Sequence, residues 1–447
     1  MAKTQGISRR SFIQRTGAAA LAATAGPGFA ARGATNGGGK YRTALIGCGW
    51  WGGNILRVAL ESGKCRVTGL CDVDENALTS MADDVSGWTN DEPKRFRDYR
   101  ELLEEEAPDI AIVATPDHWH ALNTVDALKA GAHVFVEKPI GHTIHEGSAM
   151  VKAARETERV VQVGTHRRVS PHNLSAIDFL RNGGAGKIGM VRAFVHYPGG
   201  SEQPEPNTDP PDGLDWDAWC GPAPLRPFNP RIHPRGFRHF LDYANGQLGD
   251  WGIHWIDQIL MWTDELYPKR VFSTGGRHIR GEPVFTDEAQ TTDAPDTQVA
   301  SFEFEDFTFV WEHRQYAANE PENHSIGCYF YGTEGVAHLG WLDGWTFYPL
   351  DSGKEKIHEE PQLHQPDSQN IPELWDDFLE SIEENRKPAS DIEHGHRATN
   401  MSLLGMISLK LGRSLEWDGA KEEIVNDPEA NRCLRRDYRG DWTFPEV

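Results

Sequence analysis

The 447-residue sequence predicts two domains: an α/β domain built on a doubly wound parallel sheet, then an α+β domain with an open, mainly antiparallel sheet. Three observations predict this. A G-x-G-x-x-G turn at Gly47, Gly49 and Gly52 joins an apolar run to a helical one. Apolar runs then alternate with helical stretches through residue 165. Beyond a stretch with ten prolines, 198–234, alternating runs come in adjacent pairs, as hairpins do.

The first residues read as an address label. Arg9, Arg10 and Arg15 supply positive charge, and Ala18 to Ala25 a short small-residue run. Ser8, the paired Arg9-Arg10 and Phe12-Ile13 resemble a twin-arginine export signal, expected over residues 1–33. The run falls short of the ~20 residues of a spanning helix, and no later stretch reaches that length. The processed protein is therefore expected outside the cytoplasm, with no membrane span. A net charge of −22 argues against a nucleic-acid partner. Six cysteines in this length make no disulfide framework.

Thr43 to Ile46 has strand character and Ile55 to Leu60 helical character. In that context Gly47 permits a tight turn, Gly49 lets the backbone approach a pyrophosphate, and Gly52 packs helix on strand. The helix N-terminus adds N–H donors and a favourable dipole. A Rossmann nucleotide-binding domain over residues 40–165 follows. Asp72, 25 residues past Gly47 at the end of "CRVTGLCD", is placed for the adenosine ribose hydroxyls, with Asp74 a competitor. A carboxylate there repels a 2′-phosphate, so NAD rather than NADP is expected.

Three more strands, Asp109 to Thr115, "HVFVEKP" and "RVVQVGT", alternate with helices His118 to Ala130 and Thr143 to Arg155. Ligands of such sheets lie beyond the carboxyl ends of the strands. The polar clusters fall at those ends: Asp72, "TPDHWH" (Thr115 to His120), "EKP" (Glu137 to Pro139) and "GTHRR" (Gly164 to Arg168). By spacing alone Lys138 reads either as a strand-capping surface residue or as a group facing the cofactor. Asp117 reads as a helix cap and Trp119 as packing, and His118 and His120, at i and i+2, are a poor metal pair.

Residues 166–447 form the second domain. "TQVASFEFEDFTFVWEH" folds around Glu305-Asp306 and "HSIGCYFYGTEGVAHLG" around Thr333 to Gly335. Leu248 to Trp262 has helical spacing, which puts Asp250, His254 and Asp257 on one face. That pattern suits either a base with its orienting acid or a core helix. No third ligand joins His254 and Asp257, so no metal is expected. Five of the fifteen tryptophans lie between Trp216 and Trp262. Trp216 and Trp219 are candidates to line a site, while Trp251 and Trp255 fit a core. "NIPELWDDFLESIEENR" is an amphipathic helix with Leu374, Trp375, Phe378, Leu379 and Ile382 on one face. A helix near 391–413 is expected to pack back on the first domain, with His394 and His396 structural.

The glycine turn, Asp72, "TPDHWHA", "EKP" and "GDWGIHWID", in this order, resemble the Gfo/Idh/MocA family of nicotinamide-dependent oxidoreductases over nearly the whole mature chain. The resemblance implies a substrate held between the domains and hydride transfer between a sugar carbon and the nicotinamide. It places the cofactor against Gly47, Gly49, Trp50, Trp51, Gly52, Asp72, Thr115, Pro116, His120, Glu137 and Lys138. Lys138 becomes the lysine beside the reacting hydroxyl, and His254 the proton acceptor, oriented by Asp250. Trp119, Arg167, Arg168, Asp250 and His254 are expected to touch the sugar. The resemblance also implies a homo-oligomer formed through the open sheet face.

Free NAD is scarce outside the cytoplasm, so export calls for a retained cofactor and paired sugar substrates. Two other readings stand beside this one. The first is an NAD-dependent glycoside hydrolase using transient oxidation and elimination, although the His-Gly signature of that branch is missing. The second is a non-catalytic sugar-binding or sensing protein, against which Lys138, Asp250 and His254 argue.

Overall fold

The computed structural model describes residues 39–264 and 267–447. The expected export signal lies outside the described residues. Six strands, β1 (Tyr41–Ile46), β2 (Cys65–Cys71), β3 (Lys94–Phe96), β4 (Ile110–Val113), β5 (His133–Val136) and β6 (Val161–Val163), pair in parallel in the order β3-β2-β1-β4-β5-β6. The short apolar runs suit strands covered on both faces. Helices α1 (Trp50–Glu61) and α2 (Glu75–Trp88) share a buried cluster with one face. Helices α3 (Tyr99–Glu106), α4 (His120–Lys129) and α5 (Ile144–Glu156) cover the other. The strand order reverses between β1 and β4, where such folds open a crevice.

After α6 (Pro171–Arg181) the chain builds a second sheet. Its strands, with two short ones that pair apart, are β7 (Ile188–His196), β8 (Glu205–Pro206), β9 (Arg270–Gly276), β10 (Ala289–Gln290), β11 (Thr297–Glu303) and β12 (Thr308–Arg314). They continue with β13 (Ile326–Gly332), β14 (Gly335–Gly340), β15 (Trp345–Pro349), β16 (Ile357–Glu359), β17 (Leu415–Asp418) and β18 (Glu423–Ile424). The order is β16-β15-β14-β13-β7-β12-β11-β9-β17-β18, and β8 pairs only with β10. Both expected hairpins form, β11–β12 and β13–β14. One pair, β7 with β12, is parallel, because β7 comes from the chain before the helices and enters between two later hairpins.

The remaining helices are α7 (Trp216–Cys220), α8 (Ile253–Thr263), α9 (Ile371–Glu384), α10 (Ile392–Leu411) and α11 (Pro428–Arg432). Residues of α8 and α10 pack on one face of the large sheet, against Phe302 and Trp311. The opposite face leaves Met190, Phe272 and Val299 exposed.

Two details position the site differently from the periodicity. The expected helix from Leu248 opens with a π-turn, Leu248–Gly252, before α8 begins. The wide turn breaks the single face: Asp250 and His254 face the interdomain cleft, while Asp257 is buried beneath it. Helix α9 spends its apolar face, Leu374, Trp375, Phe378 and Leu379, on the first domain beside β1, β2 and α1, and so joins that domain's core. The start of α10 also touches the first domain: Ile392 sits in the α4–α5 cluster.

Candidate active site

A cleft of ≈ 920 Å³ runs along the carboxyl ends of the parallel strands and out between the domains. That is the size range of cofactor and substrate pockets. At its nucleotide end the turn after β1 is shaped by glycine. Gly47 has φ +98°, and a Cβ there would lie 2.7 Å from the Ala114 carbonyl. A Cβ at Gly52 would lie 2.2 Å from the Gly47 oxygen, so Gly52 sets close packing and stays out of the cleft wall. Gly49 stands at the N-cap of helix α1 and offers no side-chain cap, so the first N–H groups of the helix are open to an anion.

Asp72 receives N–H bonds from Cys48 (2.7 Å) and Asp74 (2.9 Å), which pin it at the end of β2. Burial raises its carboxyl to about 6. Asp74, its competitor, caps α2 and also lines the cleft. Trp50, Trp51, Thr115, Pro116, Glu137 and Lys138 line the cleft as expected positions. Glu137 Oε1 is buried without a hydrogen-bond partner, an acceptor waiting for a donor. The open helix end, the glycine cradle and this orphaned acceptor fit a nicotinamide dinucleotide.

His120 also borders the cleft, but its ring is spent on the backbone: Nδ1 faces the Pro139 oxygen and Nε2 the Thr115 oxygen, both at 2.7 Å. Burial outweighs these two carbonyls and pulls the imidazole down to about 4. The neutral ring carries one N–H and so donates to one of these two carbonyls; wedged between the ends of β4 and β5 beside Pro139, His120 is a positioning residue.

Lys138 Nζ donates to the Asp250 backbone oxygen (2.8 Å) and to Asp250 Oδ1 (2.9 Å). Two of its three donors are spent, and the third is left for a substrate oxygen. Arg238 Nε reaches the same Oδ1 at 3.3 Å. Burial alone would raise the Asp250 carboxyl, but the Lys138 and Arg238 cations hold it far below the usual carboxylate range. Asp250 is thus the anchor of Lys138 rather than the orienter of His254. Asp250 sits within the π-turn, Leu248–Gly252, and His254 beyond it in α8.

His254 is buried against Trp341 (ring centroids 5.0 Å) and His166 (5.9 Å), and its Nδ1 has no partner. Burial, then the positive charge of Lys138, push its imidazole well below the ordinary histidine range. At neutral pH it is an unprotonated base.

Several lining residues differ from the sequence reading, in which Asp117 is a cap and Arg238, Trp341, Asp367 and Gln369 are not singled out. Asp117 does not cap its 3-10 turn, which is preceded by Pro116 at the cap position. Its buried carboxyl lies in the cleft with Lys138, Arg238 and Asp250 near enough to shift it, and burial raises it to about 7. Arg238 and Trp341 come from the long loop and the β14–β15 turn, where no motif marks them. The indoles of Trp251 and Trp341 meet at 5.0 Å and 70° and wall the substrate end, with Asp367 and Gln369 beside them. Trp219 lines the cleft, whereas Trp216 stacks behind it at 4.6 Å.

Arg167 and Arg168 do not reach the substrate space. Arg167 is buried, donates to Asn173 Oδ1 (2.8 Å) and the Gly340 oxygen (3.1 Å), and stacks on Trp255 at 4.4 Å. Burial lowers its guanidinium to about 9. Arg168 Nε donates to the buried Asp257 at 2.7 Å. Both begin at the cleft-side end of β6, but their long side chains run down into the core to neutral and anionic partners. Trp119 does border the cleft, fixed by an Nε1 bond to the Trp219 oxygen at 2.9 Å.

Asp117 yields a pH prediction. Its folded value, about 7, exceeds the ordinary 3.8, so the native state holds the extra proton. The stability this gives is complete below about pH 4 and is lost as pH rises through about 7. Asp117→Asn is therefore expected to raise Tm by a few degrees at about pH 8 and leave it nearly unchanged at about pH 4. Thermal melts of both proteins at the two pH values check this.

The sequence profile of the Gfo/Idh/MocA oxidoreductase family, NAD-binding Rossmann fold, matches residues 41–165. The profile of the same family's C-terminal α/β domain matches residues 191–276 and 352–444. The chain belongs to the Gfo/Idh/MocA family. Its first domain carries that family's NAD-binding Rossmann fold, which makes NAD the expected cofactor. A curated relative, glycosyl hydrolase family 109 protein 2 of Shewanella sp. (strain ANA-3), is 29% identical over 212 residues, 43% of this chain and 46% of that one. The chain thus spans about half the length of the curated relatives it matches. Among solved structures, aldose-aldose oxidoreductase from Caulobacter crescentus, complexed with glycerol, aligns with TM-score 0.62 and 19% identity over 84% of this chain and 99% of that one. Levoglucosan dehydrogenase, in complex with NADH and levoglucosan, aligns with TM-score 0.64 and 18% identity, again over 84% and 99%. At these identities the structures share the fold.

Proposed function

We propose that this Gfo/Idh/MocA oxidoreductase interconverts a hydroxyl and a carbonyl on a neutral sugar and keeps its NAD bound between turnovers. The observation that carries this reading is the Lys138 ammonium, anchored on Asp250 and pointed into the cleft beside an unprotonated His254. His254 takes the proton of the substrate hydroxyl. The free N–H of Lys138 stabilises negative charge as it develops on that oxygen. NAD, when bound, takes up or returns the hydride. In the reverse direction His254 returns its proton to the carbonyl oxygen.

The substrate end supports a neutral ring. Trp251 and Trp341 offer apolar faces, and Asp367 would repel an acid. We expect kcat/KM for an aldose to exceed that for the matching uronic acid by at least about tenfold. Asp367→Asn should narrow the gap. Preference for the acid would overturn this substrate class.

Retention is supported by how the cleft is strapped. The long loop of the second domain bonds to the nucleotide end: Asp215 N–H to the Val73 oxygen (3.0 Å) and Glu75 N–H to the Gly213 oxygen (3.2 Å). The C-terminal tail adds Arg436, bonded to the His118 oxygen (2.7 Å) and to buried Glu146 (2.8 Å). Trp442 then packs edge-on against Trp119 at 4.8 Å, under the guanidinium of Arg100. Trp442→Ala is expected to speed NAD loss by about tenfold, since buried aromatic anchors carry much of such contacts. Bound nucleotide measured after repeated gel filtration checks it. A retained cofactor suits the export proposed from Ser8 to Gly26, and the exposed sheet face suits the proposed homo-oligomer.

A second reading, NAD-dependent glycoside hydrolysis, is favoured by the names of the curated relatives. Release of nitrophenol from nitrophenyl glycosides, dependent on bound NAD and on Lys138, would select it.

A further inference from the structure

The open face of the large sheet carries a cluster that the redox chemistry does not use. His324 lies in the loop leading into β13, His338 is in β14, and Asp343 is in the turn to β15. The three are 14 and 5 residues apart, and strand register brings them together. His338 pairs across the sheet with Tyr329 and with Thr346. Its neighbours Ala337 and Leu339 point into the core, so its own ring stands on the opposite face. There it is 1% exposed, covered by the rings of His324 (3.9 Å) and Tyr329 (4.7 Å).

Both histidines turn the same nitrogen towards one oxygen. Asp343 Oδ2 is 3.2 Å from His324 Nδ1 and 3.9 Å from His338 Nδ1. The second distance is too long for a hydrogen bond, and His338 Nε2 is buried without a partner. Two ligands on one ion with bonds of about 2 Å, however, lie roughly 3–4 Å apart. The ligand atoms all fall within 4.8 Å of one another. The backbone also makes room for the set. Gly327 leaves space for the His338 ring, whose Nε2 would lie 2.7 Å from a Cβ there, and Gly340 for Asp343, whose Oδ1 would lie 1.5 Å from one.

We infer that His324, His338 and Asp343 bind one divalent cation of the zinc class, through two imidazole nitrogens and one carboxylate oxygen. That donor set suits Zn2+ or Co2+ better than Mg2+ or Ca2+, which favour all-oxygen ligands. Three protein ligands leave a fourth position for water. The ion fastens the β14–β15 turn to the sheet. Trp341, on that turn, walls the substrate end, so the site is a clasp behind the sugar wall.

The test uses the full chain stripped of metal by a chelator and titrated with Co2+, whose visible absorption reports low coordination number. One equivalent is expected to saturate the signal, and Zn2+ to displace it. His324→Gln and Asp343→Asn should each weaken Co2+ binding at least about tenfold while leaving the circular dichroism unchanged. Both residues are partly exposed, so these variants keep the test valid even where His338→Gln fails to fold. The inference is overturned if no saturable absorption develops, or if both variants give the same titration as the native chain.

Discussion

Lys138→Met is expected to lower kcat for sugar oxidation by about 10³-fold and to leave the bound NAD in place. Methionine keeps length and bulk but loses the charge and the donor that face the substrate oxygen. KM should change far less than kcat, because the lost contact strengthens only as negative charge develops. Asp250 would keep Arg238 as a partner, so the cleft wall stays paired. Steady-state rates combined with the nucleotide content of the denatured protein separate the two effects. A variant that loses NAD and activity together would instead make Lys138 a cofactor-holding residue.

Asp257→Leu is expected to cost about 3–5 kcal/mol of folding stability, because it strips a buried guanidinium of its carboxylate. The side chains of Arg168 and Asp257 are 5% and 1% exposed, so water cannot compensate. The paired change Arg168→Met with Asp257→Leu should recover most of the loss, since an apolar pair of similar volume needs no desolvation. Urea unfolding of the native, both single and the double variants gives the coupling directly. The folded fraction should keep its rate within about threefold, because neither residue lines the cleft. A single-site loss below about 1 kcal/mol would mean that water reaches the pair.

These two expectations also mark what the sequence could and could not show. The parallel sheet was legible because its signals are local: an apolar strand, a glycine turn and a helix within some twenty residues, repeated. Lys138 was legible for the same reason, at a strand end and followed by proline. Arg167 and Arg168 sit at an equivalent strand end, yet they turn inward. Asn173 lies near Arg167 in the chain, but the partners Gly340 and Asp257 are 173 and 89 residues away, and no local pattern encodes such pairings. The role of Asp250 was misread through geometry. An ideal helix puts it over His254, whereas a π-turn aims it at Lys138, 112 residues earlier. Asp117 was seen but read as a cap, whereas Arg238 and Trp341 were invisible: each becomes part of the site only when the loop, the hairpin turn and the first domain meet. The amphipathic face of α9 was evident, but not that it would be buried against β1 and β2.

The most direct test of the central claim is a rapid-mixing experiment without added cofactor. The purified protein is mixed with a neutral aldose and nicotinamide fluorescence is followed. The predicted result is one equivalent of reduced nicotinamide per chain in a single burst, absent in Lys138→Met, and discharged when a second sugar carbonyl is added. No burst from nucleotide-loaded protein with any neutral sugar, or reduction only when free NAD is supplied in excess, would contradict it.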